Sequence, residues 1–156
     1  MKTISSKISK NEIRQLVIDD QVDFDIPTQV LSSWENKFHP KKENLESSIK
    51  GLRSPQIGGL YAVLSHWICS DSIATVVMPT GTGKTETMLS ILVHEQIQQL
   101  LVIVPTDPLR TQLSNKFLKL GLLQTLNLLS SDVKFPIVGT VKTKFSNANE
   151  ARDFFE

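Results

Sequence analysis

A chain of 156 residues, 40% hydrophobic and 21% charged, is long enough to bury a core and fits one globular domain. Lys and Arg number 17 against 16 Asp and Glu, a formal net charge of +1 that leaves no electrostatic footprint for nucleic acid or a membrane. The one cysteine, Cys69, excludes a disulfide framework and a multi-cysteine metal site, and His39, His66 and His94 have no ligand-like spacing.

In chain order, the first seven residues lack the apolar stretch of a signal peptide, and no later run approaches membrane-spanning length. A cytoplasmic protein with no membrane partner is therefore expected. Residues 1–50 are polar, with apolar positions at helical spacing, and read as a helical N-terminal extension. Ile13, Leu16 and Val17 would share one helix face, and Val30, Leu31 and Trp34 another, the latter bracketed by Pro27 and Pro40. A helix is predicted over 55–69, where Ile57, Leu60, Leu64, Trp67 and Ile68 make one apolar stripe. Residues 73–78 read as a buried strand, 79–83 as a turn and 84–98 as a helix; 100–104 is a second buried strand. Asp107-Pro108 is a helix-start signal, with Asp107 as N-cap, and that helix is expected to reach Leu120 and stop at Gly121. Residues 137–145 suggest a third strand, weakened by Gly139, and Asn147 with Glu150 has capping-box spacing for a last short helix. Alternating strands and helices predict an α/β class, with a parallel sheet buried on both faces. Trp34, Trp67 and Phe117 fall on apolar faces and are expected in the core, with Cys69 as a small buried apolar residue. The lysines at 41, 42, 142 and 144 read as solvated charge.

The chemistry concentrates in Pro79-Thr80-Gly81-Thr82-Gly83-Lys84-Thr85, placed between a predicted strand and a predicted helix. Gly81 and Gly83 let the backbone curl so that successive N–H groups face phosphate oxygens, and the following helix N-terminus adds to that field. Lys84, the catalytic cation of such a loop, would reach the β- and γ-phosphates of ATP. The Thr85 hydroxyl would ligate a nucleotide-bound Mg2+. A glycine-rich turn with an exposed lysine is the plainer alternative. Met78 stands where the full phosphate-loop pattern asks for glycine.

That departure points to a family. Residues 78–86, Met-Pro-Thr-Gly-Thr-Gly-Lys-Thr-Glu, resemble motif I of superfamily 2 helicases and translocases, DEAD/DEAH-like proteins with RecA-like domains. The resemblance implies ATP and Mg2+ as cofactors, with Glu86 closing the loop. Residues 105–112 resemble motif Ia, which implies that Pro105, Thr106, Arg110 and Gln112 lie along a DNA or RNA backbone. Read from the residues alone, the same stretch is a helix cap with Leu109 and Leu113 buried. Leu52-Arg53-Ser54-Pro55-Gln56 is similar to the element preceding motif I in the branch with type I and III restriction translocases and UvrB-like proteins. There Arg53 and Gln56 would serve the nucleotide, the carboxamide reading the adenine edge. The bland alternative is a solvated Gln at a helix N-terminus.

The resemblance implies a partial RecA-like helicase ATP-binding domain over 51–156, the N-terminal half of a first RecA-like domain. After Lys84 the acidic residues are Glu86, Glu95, Asp107, Asp132, Glu150, Asp153 and Glu156, and none forms the carboxylate pair that such ATPases use on magnesium and water. Asp19-Asp20 follows an apolar run but precedes the loop and has helical spacing with Ile13, so it reads as a decoy. The parent enzyme would be an ATP-dependent helicase, and the isolated chain is expected not to hydrolyse ATP. A small nucleotide kinase and a non-catalytic nucleotide-binding protein remain the alternatives. A sheet cut short would expose an edge and favour self-association.

Overall fold

The computed structural model describes residues 2–9, 12–18, 27–142 and 144–155. Two strands, β1 (Lys2–Ser9) and β2 (Glu12–Ile18), precede four helices: α1 (Pro27–Trp34), α2 (Ser54–Cys69), α3 (Lys84–His94) and α4 (Asp107–Leu118). The short strand β3 (Gly139–Thr140) and the helix α5 (Ala148–Phe155) follow.

β1 and β2 pair antiparallel, Lys2 opposite Ile18 and Lys7 opposite Ile13, and β3 joins β2 through Gln15–Thr140 and Leu16–Gly139. The helix suggested by Ile13, Leu16 and Val17 is therefore a strand. Apolar spacings of three and four over so few residues fit either state, and β-branched Ile13, Val17 and Ile18 favour the pleated one. Helical spacing no longer argues against Asp19-Asp20, whose position before the loop still does; both residues lie outside the described ones.

The segments 73–78 and 100–104 join helices as expected but pair with no strand among the described residues. Their burial is one-sided. Val102 and Val104 pack against the core, while Leu101 is 69% and Ile103 85% exposed. Ile73 and Val77 are exposed too, and only Met78, next to the loop, is buried. A strand buried on both faces needs a neighbour on each side for its backbone groups. The predicted third strand shrinks to Gly139–Thr140, and its pairing with β2 is antiparallel.

The core is built by helices. Leu60 on α2, Leu89 on α3, and Leu120, Leu123 and Leu128 after α4 are essentially without exposure, together with Leu52 ahead of α2. Val30 and Trp34 of α1 and Phe117 of α4 close this cluster, and the Trp34 indole N–H donates to the Lys134 carbonyl at 2.9 Å. Gly59 makes the α2–α3 approach possible: a Cβ there would sit 3.3 Å from Thr87 and 3.5 Å from Met78. The buried face of α2 runs through Gln56, Gly59, Leu60, Val63 and Leu64; Trp67 continues that face into the last turn, beyond the buried stretch, and Cys69 lies on the opposite side. Both were expected inside; Trp67 is 43% exposed and Cys69 lies open to solvent.

α3 ends at His94, four residues short of expectation, where Gln96 turns to φ +48°. The N-cap of α4 is Thr106, one residue before the expected Asp107. The chain leaves α4 through Gly121 at φ +57°, whose N–H donates to the Lys116 carbonyl at 2.7 Å, a glycine stop of the expected kind. At the start of α5, the Glu150 N–H donates to Asn147 Oδ1 at 2.9 Å and the Ser146 N–H to Glu150 Oε2 at 2.7 Å. Elsewhere Lys37 bridges Asp132 at 2.9 Å; hydrogen bonding from Ser130 and then from Lys37 lowers the Asp132 pKa to about 2. Among the described residues, no helix is long and apolar enough to cross a membrane.

Candidate functional site

The loop 79–85 meets the N-terminus of α3, and its two glycines carry the turn. Gly81 has φ +80° and Gly83 φ +90°, the left-handed region closed to most side chains. Gly83 is the N-cap of α3, so the first N–H groups of that helix, which have no intrahelical acceptor, open on the loop. The Pro79 carbonyl closes it from the other side, accepting from Thr82 Oγ1 at 2.7 Å and from Lys84 Nζ at 3.0 Å. An ammonium and a helix N-terminus thus meet at one concave turn, a cradle of the sort that takes phosphate oxygens.

Two residues of α2 and its approach brace the cradle. Arg53 Nη1 donates to the Gly81 carbonyl at 3.1 Å. Gln56, only 3% exposed, accepts from the Arg53 N–H at 2.8 Å and reaches the Gly83 carbonyl at 3.4 Å. A Cβ on Gly83 would lie 1.9 Å from Gln56 Nε2. The plainer alternative, a solvated Gln, thereby fails. Both ends of its carboxamide are engaged by the backbone, and an adenine contact would require them to turn.

A cleft of about 560 Å³ opens over the cradle, lined by Arg53, Gln56, Thr80, Gly81, Gly83, Lys84, Thr85 and Glu86. Leu109, Gln112 and Lys116 of α4 line it as well. Their spacing of three and four puts them on one helix face. The resemblance had placed Gln112 toward nucleic acid, and the fold brings it to the loop. Arg110 points elsewhere: it bridges Asp107 at 2.9 Å and lines a second, mostly apolar cleft of about 770 Å³ with Val30, Trp34, Leu101, Val104 and Phe117. Pro105 and Thr106 are exposed and line neither cleft. The motif Ia-like residues therefore diverge around α4 instead of forming one patch.

Lys116 was missed in the sequence. Its Nζ lies 2.7 Å from Glu86 Oε1, and the Glu86 side chain is 5% exposed. Two facts would have found it: Leu109 and Gln112 sit on one face of the helix, and the next turn of that face brings Lys116. Among the described residues, the carboxylates lining the loop cleft are Glu43 and this paired Glu86. The donor set suits a metal carried in on a nucleotide, with Thr85 as the hydroxyl ligand beside the phosphates, better than one held by protein carboxylates.

Comparison with known families supplies the context for this geometry. The family model described as type III restriction enzyme, res subunit, matches residues 49–153, which takes in the Arg53–Gln56 element, the loop and the whole of α4. No curated protein and no solved structure matches the chain. With the match spanning most of the sequence, the chain belongs to the type III restriction enzyme res subunit family and carries a helicase-like superfamily 2 domain.

Proposed function

We propose that this chain is the ATP-binding portion of a superfamily 2 DNA or RNA translocase, built on a partial RecA-like α/β domain. One observation carries the reading: a loop with two left-handed glycines and Lys84 opens on the N-terminus of α3 beneath a cleft that Arg53, Lys84 and Thr85 line. ATP places its phosphates on residues 79–85, Lys84 leaving the Pro79 carbonyl for the β- and γ-oxygens. Arg53 and Gln56 stand on the base side of the cleft. Mg2+, when bound with the nucleotide, supplies charge neutralisation at the phosphates, and Thr85 is the residue that would hold it. Nucleic acid runs past the exposed start of α4 at Pro105 and Thr106. The exposed apolar segments around Val77 and Ile103 support self-association of the isolated chain.

Hydrolysis is not part of this proposal for the isolated chain. The only cleft carboxylates among the described residues are Glu43 and the Lys116-paired Glu86, which leaves no free pair to hold metal and activate water. Calorimetric titration of magnesium-ATP into wild type and Lys84→Ala tests the reading. Weak, saturable binding by the wild type that disappears in the variant is expected. Equal heats from the two proteins would remove the phosphate-loop assignment.

A further inference from the structure

Glu86 presents a problem that the phosphate loop must solve. It sits in the first turn of α3, two residues after Lys84, with its side chain almost fully buried. Its Oε2 lies 3.3 Å from where a Cβ on Gly83 would stand, so the carboxylate is directly under the loop. A helix N-terminus favours a carboxylate there, but the same field is needed for phosphate, and a second anion alongside would compete for it. A buried charge of this kind also requires a partner. Lys116 supplies one at 2.7 Å, from the far end of α4.

We propose that Lys116 is a positioning residue of the phosphate site: it neutralises Glu86 and fixes it beneath the loop, so that a polyphosphate meets net positive potential. The inference rests on the phosphate-loop reading above. It also ties α4 to the phosphate loop, since the helix that begins with the motif Ia-like stretch at Thr106 meets α3 through this ion pair. Lys116 acts through Glu86 and not on the phosphates themselves. Removal of the lysine alone therefore exposes the nucleotide to an uncompensated anion, and removal of both charges does not.

The test is magnesium-ATP titration of the full chain as wild type, Lys116→Met, Lys116→Arg and the double variant Glu86→Gln/Lys116→Met, with folding checked by circular dichroism. Lys116→Met should weaken binding about tenfold, the scale of one charge roughly 12 Å from a phosphate at an effective dielectric of about 20. Lys116→Arg, which keeps the charge, and the double variant, which removes both charges, should each return to within about threefold of wild type. An unchanged affinity in Lys116→Met overturns the proposal. A double variant as weak as Lys116→Met also overturns it, because Lys116 would then be contacting the nucleotide or merely supporting the fold. Should Lys116→Met fail to fold, the double variant decides alone: near-wild-type affinity supports the proposal, and a tenfold loss ends it. A wild type that binds no nucleotide, or a Lys84→Ala variant that binds equally well, brings down the phosphate-loop reading and this inference with it.

Discussion

Gly81 and Gly83 share a left-handed φ and have different surroundings, which makes alanine at each a controlled comparison. Both adopt φ in the left-handed region, +80° and +90°. Alanine there costs about 1–2 kcal/mol of backbone energy, and alanine's stiffer unfolded chain returns about 0.4–1 kcal/mol. Around Gly81 a new Cβ meets nothing within 4 Å, so Gly81→Ala should destabilise by about 1 kcal/mol. Around Gly83 the Cβ would stand 1.9 Å from Gln56 Nε2 and 2.9 Å from Gln56 Cδ. The Gln56 carboxamide must leave, giving up its bonds to Arg53 and Gly83, each worth about 0.5–1.5 kcal/mol, from a buried position. Gly83→Ala should therefore cost about 3 kcal/mol in all, roughly 2 kcal/mol more than its neighbour. Urea denaturation of the two variants gives these values directly. The Gln56→Ala background completes the cycle, because the clash is already gone and Gly83→Ala should fall to the Gly81→Ala cost. Equal costs for the two glycines, or strict additivity of Gly83→Ala with Gln56→Ala, would refute the assignment of Gln56 as the group packed against the loop.

Acid should act on the Lys37–Asp132 pair in a defined window. The folded Asp132 pKa lies at about 2, below its ordinary 3.8, so its contribution to stability is complete above about pH 4 and disappears as pH falls through 2. Denaturation of wild type and Asp132→Asn across pH 2–6 should show a gap that is constant at the upper end and shrinks only below about 4; a gap that grows on acidification would contradict the sign. The apolar segments make the remaining prediction. Sedimentation of the wild type should show concentration-dependent association, and Val77→Asp with Ile103→Asp should reduce it, both side chains being at least 85% exposed. Unchanged association would place the contact surface elsewhere.

What could be read from the sequence was local. The phosphate loop depends on two glycines and a lysine within a few residues, and their left-handed conformations follow from the turn itself. The start and stop of α4 were equally local, and the N-cap moved by only one residue, from Asp107 to Thr106. Most of the other misreadings depend on contacts between distant segments. Burial along α2 stops at Leu64, so Trp67, on the same face one turn further, is left exposed, and spacing alone does not show where the covering elements end. Segments 73–78 and 100–104 have strand-like composition, but pairing is a property of the neighbours, which periodicity does not contain. Lys116 was half legible: helix spacing puts it on the face of Leu109 and Gln112, but only the packing of α3 on α4 joins it to Glu86, thirty residues away.

The two tryptophans report from unlike surroundings. Trp34 is sealed in the core with its indole N–H on the Lys134 carbonyl, and it also walls the apolar cleft beside Arg110. Trp67 stands half in water in the last turn of α2. Excited together, they give the chain a blue and a red emission component without any attached dye. A soluble quencher such as acrylamide removes the red one first. Any molecule, or second copy, that enters the apolar cleft alters the blue component, so its occupancy can be followed in unmodified protein at micromolar concentration, independently of events at the phosphate loop.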